Sequence, residues 1–423
     1  MNKTILATLA VAAVAGLSAC TQTSVVTPAN QGAADREGIS FRPFAGASVR
    51  AAEFDRDAMK MDGFTVAAFR NDNGAMFFGK ENVKPADATK LEDFWDIQDK
   101  EYQWPNFKLD FYAYANVDEA DNVTLTGGDT GKKEMTLATD AKVADQEDII
   151  VAYNYGTRDD HETSGVPMKF KHILSQVAVQ AKDSKASDHQ YTIEVAGVKL
   201  GRIASEGKFT YPAKNSYTAF GTDKAFASSL ITLTDNKVSS FFAGAATVAT
   251  LNATTPVSLM NTSNGNFMII PQDTEAWNQE ATYGGGTAGT DNGKMYLGVR
   301  VRIKSKAGAA IYPVDGNFAF ATTPLDYKFE PGKKYLITVD FKDGAGYEEP
   351  AIEGTDPANY DDRPKVDDTQ ITISENPVGE NNDKPGRPIL GGPIRFKVVE
   401  VESWGDATGV DLPMIPAATT SEP

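Results

Sequence analysis

Tyr296 to Lys304 reads YLGVRVRIK, and this stretch decides the fold class. Leu297, Val299, Val301 and Ile303 fall on one side, with Arg300, Arg302 and Lys304 on the other. A period of two marks a strand with one buried face and one wet face. The same alternation runs outward in both directions. FTVAAF (Phe64 to Phe69), HILSQVAVQAK, YTIEVAGVKL and YLITVDF all carry it, and FKLDFYAYA puts Phe107, Leu109, Phe111 and Ala113 on one face. DIIVAYNY (Asp148 to Tyr155) is instead continuously apolar, as a strand covered on both faces is. Turn signals such as TGGDTGK, DGN, EPGKK and KDGAG separate these runs. Helical periodicity is scarce, with Asp87 to Asp99 the best place for a short helix. The pattern predicts an all-β protein of sandwich or Greek-key type.

The N-terminus predicts the compartment. Lys3, the apolar run ILATLAVAAVAG and the tetrad Leu17-Ser18-Ala19-Cys20 form a secretory signal ending in a lipobox. The apolar run is too short to span a bilayer, so a diacylglycerol on Cys20 would anchor the chain without crossing the membrane. Cys20 is the single cysteine of 423 residues, which excludes an intrachain disulfide. Thr21 and Gln22 follow it where an aspartate would favour the inner membrane, so the outer membrane is expected. Residues 1–19 are thus read as signal and 20–37 as a polar tether.

Charge excludes a further class of partner. The chain carries 41 Lys and Arg against 58 Asp and Glu, a net charge of −17, and Lys3 would leave with the signal. Such acidity argues against nucleic acid and against docking on anionic lipid. Catalytic signatures do not emerge either. The three histidines, His161, His172 and His189, are expected at the surface or at strand edges. The sequence has no HExxH, no GxSxG and no cysteine nucleophile. GGDTGKK (Gly127 to Lys133) lacks the spacing of a phosphate loop. The acidic clusters at Asp118–Asp121, Asp361–Asp362 and Asp367–Asp368 lack a calcium-loop register. The reading is of a protein that is not an enzyme and has no cofactor and no metal. The four tryptophans, Trp95, Trp104, Trp277 and Trp404, serve either as core or as platforms for sugars.

Two stretches near the ends stand out. GISFRPFAGASVRAAEF (Gly38 to Phe54) reads as a strand followed by a soft loop with an Arg50–Ala51 junction. At the other end, Ile394, Phe396 and Val398 share one face, and at Val399 the apolar parity switches to Val399 and Val401 before Trp404. A strand that changes face halfway bends, bulges or pairs with two sheets.

Taken in order, these phrases resemble the fimbrillins, lipoprotein subunits of the type V pili of Bacteroidia-type bacteria. The resemblance runs through SVRAAEF, GFTVAAF, DIIVAYN, KHILSQVAVQAK, FMIIPQ, YLGVRVRI, Tyr312-Pro313, TPLDYKFEPGKKYLITVDF and IRFKVVEVESW. It implies two tandem transthyretin-like Greek-key β-sandwich domains. Here these would be residues 38–168, with a removable first strand at 38–50, and 169–404, ending in a donor strand at 394–404; a polar tail follows at 405–423. It also implies an arginine-specific protease that cuts behind the first strand. Of Arg36, Arg42, Arg50 and Arg56, Arg50 suits best: Arg36 precedes the strand, Arg42 is followed by Pro43, and Arg56 lies among acids. Ile39, Phe41 and Phe44 would then plug a groove that another subunit refills with Ile394, Phe396, Val398, Val399, Val401 and Trp404. The implied partners are other copies or related pilin subunits, in surface fimbriae used for adhesion. The rival reading is a surface lipoprotein that binds glycans through β-sandwich modules. Nineteen residues beyond Trp404 make this C-terminal tail longer than the resemblance leads one to expect.

Overall fold

The computed structural model describes residues 38–44, 59, 62–85, 94–117, 122–128, 130–212, 228–235, 237–261, 265–277, 294–349, 388–391 and 394–403. Cys20, Arg50, Ala51 and Trp404 lie outside them, as do the side chains of Phe44 and Val401. Among the described residues no helix is long and apolar enough to cross a membrane.

The architecture is all-β, as the alternation predicts. Strands Ser175–Lys182, Lys333–Asp340 and Arg395–Ser403 form the body of one sheet. It faces a second sheet built on Tyr191–Ala204, Val238–Thr250, Tyr296–Ser305 and Ala319–Pro324. The inward residues of YLGVRVRIK, Leu297 to Ile303, meet Val177, Val179, Ile337 and Val339 in one core between the two layers. This is a β-sandwich, held mainly by burial of branched side chains from both sheets.

The outer face of YLGVRVRIK is not uniformly wet. Arg302 and Lys304 are partly exposed and pair with Glu194, whereas Arg300 is buried. Burial pulls the Arg300 guanidinium down to about 10. On the neighbouring strand Lys199, across from Gly298, is also buried and pairs with Glu349. Aromatic rings cover this part of the face: Phe318 lies over Arg300 and Arg302, and Phe242 and Phe320 over Lys199.

The N-terminal half is organised around an eight-stranded sheet. In spatial order its strands are Lys171–His172, Ile150–Gly156, Leu109–Ala115, Phe64–Arg70, Met76–Pro85, Trp95–Ile97, Ser40–Phe44 and Val166–Lys169. The two ends of that order are consecutive in the chain, separated only by Phe170. The sheet therefore curls until its ends meet, and side chains from across it converge on one apolar core. DIIVAYNY behaves as expected: Ile150 and Ala152 enter this core while Val151 and Tyr153 enter another on the opposite face. That third core is capped by a four-stranded sheet, which joins Val123–Leu125 and Lys133–Ala138 to Glu206–Thr210 and Ile231–Leu233. Residue 168, the expected domain boundary, falls within Val166–Lys169.

Two local expectations are corrected. Trp95–Ile97 is a strand where a short helix was expected, because its Trp95 and Ile97 are needed as core staves of the closing sheet. His172 lies on the strand that ends the sheet order, as a strand-edge residue would, but it is buried, its ring held 2.8 Å from Asp148, itself fully buried. His189 is partly exposed and sits against Asp183 at 2.9 Å. The Trp95, Trp104 and Trp277 side chains are buried, which removes them as sugar platforms.

Candidate assembly site

The first strand, Ser40–Phe44, is not at an edge. It lies between Trp95–Ile97, to which it is antiparallel, and Val166–Lys169, to which it is parallel. Ser40 is opposite Asp96 and Phe41 opposite Trp95; on the other side Phe41 to Phe44 pair with Val166 to Lys169. The Ile39 N–H donates to the Tyr102 carbonyl at 2.8 Å, extending the attachment upstream.

Alternation sends Ile39 and Phe41 into the core. Phe41 is completely buried. Its ring meets the edges of Phe64 and Phe111 at centroid distances of 5.8 and 5.7 Å, with interplanar angles of 88° and 85°. Such edge-to-face contacts add to area burial. Trp95 stacks on Phe64 at 6.0 Å and forms part of the same wall. On the outer side the Arg42 guanidinium lies 5.2 Å from the Phe94 ring. Gly165 lets the wall approach: it holds φ +67, and a Cβ there would stand 2.9 Å from Phe94 and 3.3 Å from the Arg42 Cγ. For Phe44 the backbone pairing with Lys169 is the described feature.

At the opposite end of the chain, Arg395–Ser403 pairs antiparallel with Lys333–Asp340 and ends the sheet order among the described strands. Ile394 is buried in the sandwich core, and Phe396 and Val398 are half-buried against it. The parity switch shows itself as an irregular register: Glu400 faces Tyr335 and Glu402 faces Lys334, leaving Val401 as the extra residue. That is a β-bulge, so the last strand stays within one sheet through its change of face. At its start Arg395 reaches Asp343 at 3.4 Å. The Lys185 hydrogen bond and, more weakly, Arg395 hold that carboxyl below the usual range.

Several residues of this site have no local signal in the sequence. Val166, Pro167 and Met168 wall the first strand through pairings that span over a hundred residues, and Phe94 through a ring contact with Arg42. The Lys199–Glu349 pair, with the Tyr296 hydroxyl donating to Glu349 at 2.8 Å, is also new. Its one visible trace is a lysine inside the apolar run VAGVKL. Among the described residues no group of three or more His, Cys, Asp or Glu is arranged to hold a metal.

The chain is thus an all-β body with its first strand in the interior of one sheet and its last strand at the end of another among the described strands. The fimbrillin-like family model matches residues 50–355, and the chain belongs to that family. Among solved structures, a fimbrial protein of Bacteroides vulgatus is 16% identical with a TM-score of 0.45, over 72% of this chain and 95% of that one. A candidate cell adhesion protein of Parabacteroides distasonis is 7% identical with a TM-score of 0.44, over 88% and 97%. A second candidate cell adhesion protein, of Bacteroides ovatus, is 14% identical with a TM-score of 0.39, over 73% and 93%. No curated protein matches the chain in sequence.

Proposed function

We propose that this chain is a structural pilin subunit, made as an outer-membrane lipoprotein on Cys20 and polymerised by strand exchange into surface fimbriae that serve adhesion. An arginine-specific protease cuts between Arg50 and Ala51, the first strand leaves, and the last strand of another copy or a related subunit takes the vacated slot. The division into sandwich domains at 38–168 and 169–404, with a tail at 405–423, belongs to the same reading.

The observation that carries it is the position of Ser40–Phe44 inside a closed sheet, with Phe41 buried between Phe64 and Phe111. Burial of Ile39 and Phe41 contributes roughly 1.5–3 kcal/mol each. Losing the strand also bares two backbone ladders instead of one. A subunit of ordinary stability, about 5–15 kcal/mol, does not tolerate that slot empty. A strand from a neighbour restores both ladders and both apolar plugs. The last strand supports the role because it has one described sheet partner and is released without opening a sheet from within.

Deleting residues 394–423 from the full-length chain tests the donor role. After treatment with an arginine-specific protease, wild-type protein forms heat-sensitive ladders on electrophoresis and the truncated chain forms none. Ladders from the truncated chain would exclude the last strand as donor. The glycan-binding alternative loses support with Trp95 and Trp277 in the core. Oligosaccharide binding abolished by Trp95→Ala in a chain that remains folded would restore it.

A further inference from the structure

The first and last strands carry the same pattern. Ile39-Ser40-Phe41-Arg42-Pro43 and Ile394-Arg395-Phe396-Lys397-Val398 both place an isoleucine two before a phenylalanine, a base one after it and an apolar residue two after it. The surroundings of Phe41 match the second pattern more fully than the first. One flanking position, Ser40, lies directly across the ladder from Asp96. The other, Arg42, holds its cation over the Phe94 ring. Phe41 itself sits between two ring edges that no smaller side chain would fill.

Resting on the strand-exchange reading, we propose that Phe396 of a second copy is the anchor, entering the place of Phe41, with Arg395 and Lys397 falling at the two cation-accepting flanks. A basic residue at each flank gains an opposite charge across the ladder at one and a ring face at the other. The pentad is near-symmetric about Phe396, so this placement holds for either direction of entry. The competing face of the last strand, Val399 and Val401, offers no aromatic and would leave a void between Phe64 and Phe111. Phe396 also has burial to gain. In its own sheet it is half-buried, whereas the slot buries Phe41 completely. Transfer therefore removes further apolar area from water, a driving force for exchange that the home position of Ile394, already buried, does not supply.

The test uses full-length chain treated with an arginine-specific protease and a synthetic peptide spanning Pro393–Ser403 as competitor of ladder growth. The wild-type peptide is expected to cap the slot and shorten ladders. A Phe396→Ala peptide should need about a hundredfold or more concentration for the same effect, and a Val399→Ala peptide about the same as wild type. In the acceptor, Asp96→Lys should weaken capping, and a peptide carrying Arg395→Glu and Lys397→Glu should recover it. Equal potency of the Phe396→Ala and wild-type peptides, with potency lost in the Val399→Ala or a Val401→Ala peptide, would overturn the anchor while leaving exchange intact. Ladders that grow unaffected by the wild-type peptide would overturn it too. A cleaved chain that forms no ladder at all would sink the exchange reading and the anchor with it.

Discussion

The Asn154 side-chain amide donates to the Pro167 carbonyl at 2.6 Å, bridging strand Ile150–Gly156 to strand Val166–Lys169. This bond crosses from near one end of the eight-stranded order to the other. It shows how the sheet closes and why the first strand is bounded on both sides. A bond between nearly buried groups contributes more by satisfying the carbonyl than by its own strength. Asn154→Ala should therefore lower stability by about 1–3 kcal/mol. Chemical denaturation would report this as a lower midpoint at unchanged slope.

Phe41→Ala in the intact chain removes a fully buried ring from between two others. The expected loss is about 3–5 kcal/mol. Arg42→Ala loses a half-exposed contact with Phe94 and should cost under about 1 kcal/mol. Thermal melting of both variants checks the ranking, and equal effects would mean the first strand is not held by its apolar face.

The buried Lys199–Glu349 pair makes a separate prediction. Removing Lys199 leaves the buried Glu349 carboxylate without its cation, so Lys199→Met should cost about 3–5 kcal/mol. Lys199→Met combined with Glu349→Leu should recover most of it, because both charges then leave together. A double variant no more stable than the single would show that the pair does more than neutralise itself.

Acid weakens the fold through its paired carboxylates. The Lys333 hydrogen bond lowers Glu330, and the Thr157 N–H and hydroxyl lower Asp160. Both are depressed below their ordinary values of 4.5 and 3.8. Their stabilisation is thus fully present above those values and is lost as pH falls through the folded-state ones. Stability from these groups should be flat at neutral pH and decline below about pH 4.5. Melting temperatures taken from pH 7 to pH 3 check the direction, and Glu330→Gln should flatten part of the decline.

Much of the fold was legible because two-residue alternation is a local property. YLGVRVRIK, FKLDFYAYA and DIIVAYNY each place their apolar residues where the sequence expects them. The burial of Ile39 and Phe41 was legible for the same reason. What alternation does not carry is which strand lies beside which. The parallel pairing of Phe41 with Val166 depends on closure of a sheet across 125 residues, so the first strand's interior place is a property of the tertiary fold. The buried Arg300 and Lys199 were hidden for a related reason: their positions alternate as wet ones do, and rings from other strands cover them. The parity switch at Val399 did signal an irregularity, and the bulge at Val401 is its physical form.

The central claim is that Ser40–Phe44 is a removable strand whose slot a second copy must refill. Mass spectrometry of the native full-length chain after arginine-specific proteolysis, combined with size-exclusion of the same sample, tests it most directly. The expected result is a released N-terminal fragment ending at Arg50 and a remaining body, beginning at Ala51, that elutes as oligomers. Cleavage at Arg50 with the fragment still bound and the protein still monomeric would contradict it.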